Sequence, residues 1–532
     1  MDSSKLILLV HTAKHLRYKQ IFYRLYYLIR NRFFKKEYTK SLNRELDTLI
    51  WKDYFLYTDS YKKENTFVFL NRSHDFGNTI NWNYGEYGKL WTYNLNYFDF
   101  LNQEHISSEE GLALILDYIE KDAILKDGKE PYPISLRGIN WVKFLSRNSI
   151  SNLRINEVLS GHYETLYNNV EYHLMGNHVL ENGFSLFFGA YYLKDERLYT
   201  KAWHILKNEL TEQTLNDGAH FERSPMYHQI MLHRLLDCIN LAQLNPWKDE
   251  ALPFLKEKAL KMLSWLQEVT FSNGTIPMVN DSAYGIAPNS RQLFDYAESI
   301  GLQWPKGQLS DCGYRMYSQD NYELFVDVGK VGPDYQPGHA HSDTFSFELY
   351  VGGNPVIVDT GTSTYEKNAL RQQERETAAH NTVKIGNHEQ TQVWGGFRVA
   401  QRAKITHLKE SENQIEATHD GYKKLGVHHT RKFLTNASGI EISDSLNKEA
   451  GEEQFAFFHF HPSIKNIELG QSQVKLTDLG INIIFGEGVS NIEIQTYNYA
   501  LGFNKTEKSQ KITVSFQKSL RTQIVLPNSP NN

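Results

Sequence analysis

At 532 residues the chain exceeds the roughly 250–300 at which a single hydrophobic core stops growing, so two principal domains are expected. Its 40 % hydrophobic and 22 % charged residues exclude a disordered chain, and a net charge of −5 argues against a nucleic-acid binder, which carries a basic balance or a basic face. Two cysteines, Cys238 and Cys312, exclude a disulfide framework and a thiolate metal cage.

The first 45 residues form a basic segment. Its early apolar run, Leu6 to Val10, is shorter than a secretory h-region and has no small-residue cleavage site, so neither a signal peptide nor a membrane span is expected there. That reading favours a cytoplasmic or peripheral protein. Between residues 14 and 36 basic side chains interleave with Ile21, Phe22, Leu25, Tyr26, Ile29 and Phe33 at helical spacing. Such a helix suits packing on its own domain, or an anionic membrane or partner surface.

A helical domain is assigned to residues 46–300. From about residue 108 its apolar residues recur at three and four, as in GLALILDYIEK, NGFSLFFGAYYL and HQIMLHRLLDCINLAQL. Helix-length segments joined by short polar loops predict helical hairpins, and hairpins wound about a centre give an (α/α) toroid with a cleft across one end. After GLQWPKGQLSDCG the period changes to two, in NYELFVDVG, DTFSFELYVGG, EEQFAFFHFHP and QKITVSFQKS. An antiparallel β-sandwich is therefore predicted over residues 312–526.

Three polar clusters stand out. In GNHVLENG, Asn177 sits at a helix start, with His178 and Glu181 three apart on one face; simple capping by Asn177 is the competing role. In AHFERSPMYHQ, Glu222, Arg223, Tyr227 and His228 open a second helix, where neighbouring Arg and His can lower the Tyr227 pKa and make it a proton carrier; a core Tyr with a surface hydroxyl is the competing role. The third, GHAHSDTFSFELYVGGNPVIVDTGTSTYE followed by RQQERETAAHNTVKIG, brings His339, His341, Asp343, Asp359 and His380 to strand ends. A His/His/Asp set suits a borderline divalent ion such as zinc, and calcium or manganese could take its place. Arg371, Arg375 and Arg398 are candidates to attract a polyanion.

Together these stretches, and the series HAHSD, SF, VIVDTGT and AHNTV in particular, resemble the heparinase II/III superfamily of polysaccharide lyases. The resemblance implies a helical toroid followed by a β-sandwich, and cleavage of uronate-bearing chains such as heparan sulfate, heparin or alginate by β-elimination. It matches Asn177 and His178 to a tandem Asn-His that holds the substrate carboxyl, Tyr227 to a catalytic Tyr and Glu181 to a supporting Glu. His339 matches a sandwich His that reaches the cleft, and His341, Asp359 and His380 match a metal set. Tyr227 is expected to be the acid and His178 or His339 its partner, the choice resting on the uronate epimer. Family members meet their polymers outside the cytoplasm, against the reading of the first residues. That tension raises a rival setting in capsule or exopolysaccharide assembly. A non-catalytic polysaccharide-binding protein and a glycoside hydrolase using Glu181 and Glu222 also compete with the lyase reading.

Overall fold

A computed structural model describes residues 3–527 apart from positions 35, 37, 40, 44 and 487. Eleven helices precede the first strand of the sandwich among the described residues: α1 (Ser3–Ala13), α2 (Tyr18–Phe33), α3 (Lys89–Tyr97), α4 (Ser108–Glu120), α5 (Pro131–Arg147), α6 (Leu153–Asn168), α7 (Asn177–Leu193), α8 (Glu196–Gln213), α9 (Pro225–Leu244), α10 (Leu252–Val269) and α11 (Ser290–Ser299). The packing order reveals the winding. α3 packs on α5, α5 on α7 and α7 on α9, forming an inner ring, while α4, α6, α8 and α10 lie outside. This is the toroid. Its inner helices α5, α7 and α9 are buried nearly all round, and each starts from a defined signal: Pro131 in the first turn of α5, Gly176 before α7, and, in α9, Pro225 in the first turn with the Ser224 side chain accepting from the Tyr227 N–H.

Beyond Ser299 the chain turns to strands. An eight-stranded antiparallel sheet, running spatially from Ile405–Ser411 to Ile467–Leu469, faces two four-stranded sheets, one from Tyr314–Ser318 to Asn354–Ile357 and one from Val489–Gly502 to Val383–Ile385. The two smaller sheets are linked where the Val358 N–H donates to the His459 carbonyl at 2.9 Å. Alternation decides which core each side chain joins. In Tyr322–Asp327, Leu324 and Val326 enter the sandwich core, whereas Phe325, pointing the other way, joins the core of the toroid. One sheet thus serves two cores and fixes the domains face to face.

The seam is closed by the loop between α10 and α11. Asn280 donates to the Arg223 carbonyl of the toroid at 2.8 Å, and its side-chain oxygen accepts from the His341 N–H of the sandwich at 3.0 Å. Next to it Asp281, fully buried, takes a two-pronged ion pair from Arg371 at 2.5 and 2.6 Å and faces His341 Nε2 at 2.8 Å. Burial opposes the charge on Asp281, but Arg371 and His341 hold its carboxyl well below the usual carboxylate range. Removing one partner of such a pair strands a buried charge. Arg371→Ala is expected to cost about 3–5 kcal/mol in urea unfolding, and the double change Arg371→Met with Asp281→Asn to cost less than the single one. A loss in Arg371→Ala below about 1 kcal/mol would show that the pair is not holding the seam.

Candidate active site

The seam brings three loops together. His339 arrives from the sandwich, Tyr227 from the first turn of α9, and Asn177 and His178 from the first turn of α7. The Tyr227 and His339 rings lie stacked, with centroids 3.9 Å apart and planes 15° from parallel. Glu222 organises them: its Oε2 sits 2.5 Å from His339 Nδ1, and its Oε1 accepts from the Asn177 N–H at 3.2 Å. Burial works against the charge on Glu222, yet His339, His220 and that N–H keep its pKa below the ordinary glutamate value. An ionised Glu222 assigns the Nδ1 proton to His339 and leaves Nε2 as the acceptor.

Asn177 is buried, and its Oδ1 has no hydrogen-bond partner. His178, half-buried, places Nδ1 3.3 Å from Glu171 Oε2. Burial lowers its pKa, but Glu171 first, then Glu222 and Glu181, more than offset this and hold it above the ordinary histidine value. Its ring also lies 4.8 Å from that of Tyr132. Gly176 makes this corner: φ is 58° with ψ −142°, and a Cβ there would collide with the Gln336 side-chain oxygen, itself buried and unpartnered.

Tyr227 differs from the expectation drawn from its neighbours. Arg223 turns away in a left-handed conformation, φ 56°, and its guanidinium bonds the Lys330 carbonyl. The Tyr227 hydroxyl instead lies 3.1 Å from that of Tyr365, and burial, followed by Tyr365, raises its pKa well above 10. Tyr227 therefore keeps its proton at neutral pH. Glu181 likewise faces inward, ion-paired with Arg234 at 3.1 Å in a buried network that includes Tyr57 and Asp237. Both oxygens of Glu222 thus have internal partners, whereas Glu181 Oε1 meets Arg234 and its Oε2 is buried without one.

Two further expectations change. Arg371 is consumed by Asp281, and Arg375 by the carbonyls of Gly396 and Ala340 at 2.8 Å; neither is exposed to a polymer. Arg398 is exposed and lies over the Trp394 ring. In the metal set, Asp359 accepts from His380 Nδ1 at 2.7 Å and from the Gly361 N–H at 3.0 Å, so both its oxygens are engaged. Among the described residues no three His, Cys, Asp or Glu side chains are arranged around a common ion position. The donor chemistry nonetheless fits. His341 Nδ1, His380 Nε2 and Asp343 Oδ2 are all buried without partners, and the two imidazoles lie 5.3 Å apart. Asp281, Glu171, Tyr365 and Gln336 carry no signal in the sequence: all lie in loops, and Asp281 and Tyr365 meet partners ninety and 138 positions away.

Fold and site define a class of two-domain protein in which a helical toroid and a β-sandwich share a polar seam built from Asn, His and Tyr. Residues 139–300 match the family described as Heparinase II/III N-terminus, and residues 303–526 that described as Heparinase II/III-like, C-terminal. The chain belongs to the heparinase II/III-like family. It is 22 % identical over 359 residues to a heparin-sulfate lyase of Bacteroides stercoris, covering 61 % of this chain and 51 % of that protein. A heparin-sulfate lyase of Pedobacter heparinus is 26 % identical over 257 residues, covering 43 % of this chain and 38 % of its own length. The chain thus spans about half the length, or less, of the curated relatives it matches. A crystal structure of heparinase III superposes with a TM-score of 0.63 at 18 % identity, covering 85 % of this chain and 80 % of that one, and shares the toroid-plus-sandwich fold.

Beneath the site His220 and His228 form a buried relay: the His220 N–H donates to His228 Nδ1 at 3.1 Å, and His228 Nε2 lies 3.0 Å from the Met262 carbonyl. Burial holds His220 down to about 4 and His228 to about 3. Both bind protons more readily in the unfolded chain, where the value is about 6.5. The stability they allow is therefore complete above that pH and is lost as pH falls toward 4 and then 3. Unfolding free energies measured from about pH 7.5 down to about 4.5 are expected to fall by on the order of 5 kcal/mol for the two imidazoles together, and by roughly half of that in His220→Gln. A flat profile would mean that these imidazoles are not held neutral.

Proposed function

We propose that this protein is a polysaccharide lyase that cleaves uronate-containing chains, of the glycosaminoglycan type, by β-elimination. The carrying observation is the stacked Tyr227–His339 pair with Glu222 behind it, beside Asn177 and His178. A C5 proton is hard to remove while the adjacent carboxylate is charged, so that group must first be met by donors that disperse its charge. The Asn177 side-chain amide and His178, whose hold on its proton Glu171 strengthens, supply them. His339, its tautomer set by Glu222, takes the C5 proton at Nε2, and the protonated Tyr227 delivers its proton to the departing O4. The pair C5–H and C4–O4 is thereby replaced by a C4–C5 double bond, with the proton on His339 and the phenolate on Tyr227 restored by exchange.

Because acceptor and donor are stacked on one wall, this chemistry favours an epimer with H5 and O4 on the same face. That is the arrangement in glucuronate; in iduronate they lie on opposite faces. Purified protein offered a panel of uronate polymers is expected to produce ultraviolet-absorbing unsaturated ends, faster on glucuronate-rich than on iduronate-rich chains. Tyr227→Phe, which loses only the contact with Tyr365, is expected to fold normally and to lower kcat by about 10²–10⁴. Absence of absorbance on every uronate polymer would overturn the lyase reading, and a fully active Phe variant would overturn the role of Tyr227.

The orphaned donors support a divalent cation, zinc by donor type, held by His341, His380 and the carboxylate of Asp343, with Asp359 orienting His380 as a partner of the ligand. When bound it would supply fixed positive charge that stiffens the loop behind His339. Elemental analysis is expected to find one zinc per chain in the purified protein and much less in His341→Ala, with a lower Tm after chelation. No divalent metal in the wild-type protein would leave these residues as a hydrogen-bonded strand edge.

A further inference from the structure

The N-terminal segment has two faces. One is docked: from α2, Gln20 donates to the Leu174 and Tyr335 carbonyls at 3.1 and 3.3 Å, Tyr27 to the Val170 carbonyl at 2.6 Å and Arg30 to the Asn168 carbonyl at 2.7 Å, while Tyr23 packs on the Tyr172 ring. The other face is largely exposed among the described residues. Ile21, Phe22, Leu25, Leu28, Ile29 and Phe33 recur at helical spacing along it, each 48–66 % exposed, a dense run of large apolar side chains with no cover. Leu6, Ile7 and Val10 of α1 are also exposed. The helix is therefore amphipathic in an unusual sense: its hydrogen-bonding contacts point inward, and its apolar stripe, Phe22 and Phe33 included, points out.

Charge narrows what can cover that stripe. Residues 3–36 contain nine Lys and Arg and no Asp or Glu, in a chain whose net charge is −5. Of these, Lys14, Arg24, Arg32 and Lys36 are exposed and form no ion pair among the described residues. A second copy of the same surface would bring like charge against like charge. A convex apolar ridge flanked by long-stemmed cations asks instead for an apolar phase beneath an anionic surface, which is what an acidic lipid bilayer presents. We propose that α2 is an interfacial membrane anchor, lying flat on anionic lipid while its opposite face holds the protein. With 16 residues, α2 lies on the bilayer and does not cross it, and no described helix is long and apolar enough to do so.

The anchor also touches the catalytic seam. The carbonyls that Gln20 engages belong to Leu174, three residues before Asn177, and to Tyr335, four before His339. Lipid-bound α2 would hold the cleft at a fixed height above the bilayer, so a polymer growing from or attached to that surface is the one it meets. This placement does not rest on the lyase reading, because binding is measured without any sugar.

The test is co-sedimentation of the full chain with phosphatidylglycerol/phosphatidylcholine vesicles and with phosphatidylcholine alone. Wild-type protein is expected to bind the anionic vesicles at least about tenfold more tightly than the neutral ones, and less tightly as salt rises. Phe22→Glu with Leu25→Glu, and separately Arg24→Glu with Arg32→Glu, alter only the outward face and are each expected to weaken binding about tenfold or more with unchanged Tm. Failure of the wild type to sediment with anionic vesicles would overturn the proposal, as would undiminished binding by both variants. So would a wild-type dimer in light scattering that Phe22→Glu with Leu25→Glu dissolves while vesicle binding is absent, since that would assign the stripe to a second copy.

Discussion

The geometry of this protein depends on one buried charge. Asp281 has no water to solvate it, and placing a carboxylate there costs several kcal/mol that only a close, correctly oriented cation recovers. Arg371 provides that cation with both prongs of its guanidinium, and His341 adds a third contact. Because Asp281 belongs to the loop leaving the toroid and its partners to the sandwich, the two domains can satisfy the charge in one relative placement. Slippage by even a hydrogen-bond length would leave an ion unpaired in a low dielectric. His339 lies two residues from His341, and its carbonyl accepts from the Asp281 N–H at 3.1 Å. The position of the sandwich imidazole over Tyr227 is therefore inherited from the ion pair.

Within the seam, ionisable groups of similar type are driven to different states by their surroundings. Glu222 stays ionised because His339 and a backbone N–H face it, whereas Glu181, equally buried, has its pKa raised by burial despite Arg234. The pKa of His178 is raised by Glu171, while those of His220 and His228, facing backbone groups and an amide, are pushed down by burial. Tyr227 keeps its proton. Groups of one chemical type are thus pushed in opposite directions within a few ångströms, the separation of protonation states that the proposed proton-transfer chemistry uses. Arg371 and Arg375 are both spent on internal partners, so the polar groups left facing this part of the seam are Asn177 and His178 rather than guanidinium.

Much of the architecture was legible because it rests on period. The change from apolar spacing of three and four to alternation near residue 312 marks the transition from toroid to sandwich, since a helix and a pleated strand bury different sequence positions. Which helices line the ring was not legible. α9 is buried on almost every side, so it carries no clear apolar stripe to point at the centre. The misread cations have a similar origin. Arg371 and Arg375 look like solvated charges beside Gln372 and Gln373, and only folding brings Asp281, ninety positions earlier, against one of them. Arg223 was expected to depress Tyr227 because it is near in sequence, yet its positive φ sends the side chain away. Proximity along a chain gives charge coupling only where the backbone turns the two side chains to the same side.

The seam is closed at two edges, and the second explains why the basic N-terminal helix is docked so tightly on one face alone. At the first edge, Asn280 and Asp281 tie the toroid to the loop bearing His339 from beneath. At the other, Gln20 spends both protons of one amide on two loops, Leu174 before Asn177 and Tyr335 before His339. Arg17 reinforces this edge by pairing with Glu212 and lying 3.9 Å from the centre of the Tyr335 ring. A carboxamide can bridge two carbonyls only if they stay within hydrogen-bond reach of one nitrogen, so the bridge penalises any widening between Asn177 and His339. The helix thereby acts on the site through distance rather than charge, and its outward aliphatic stripe is free of any part in that bracing.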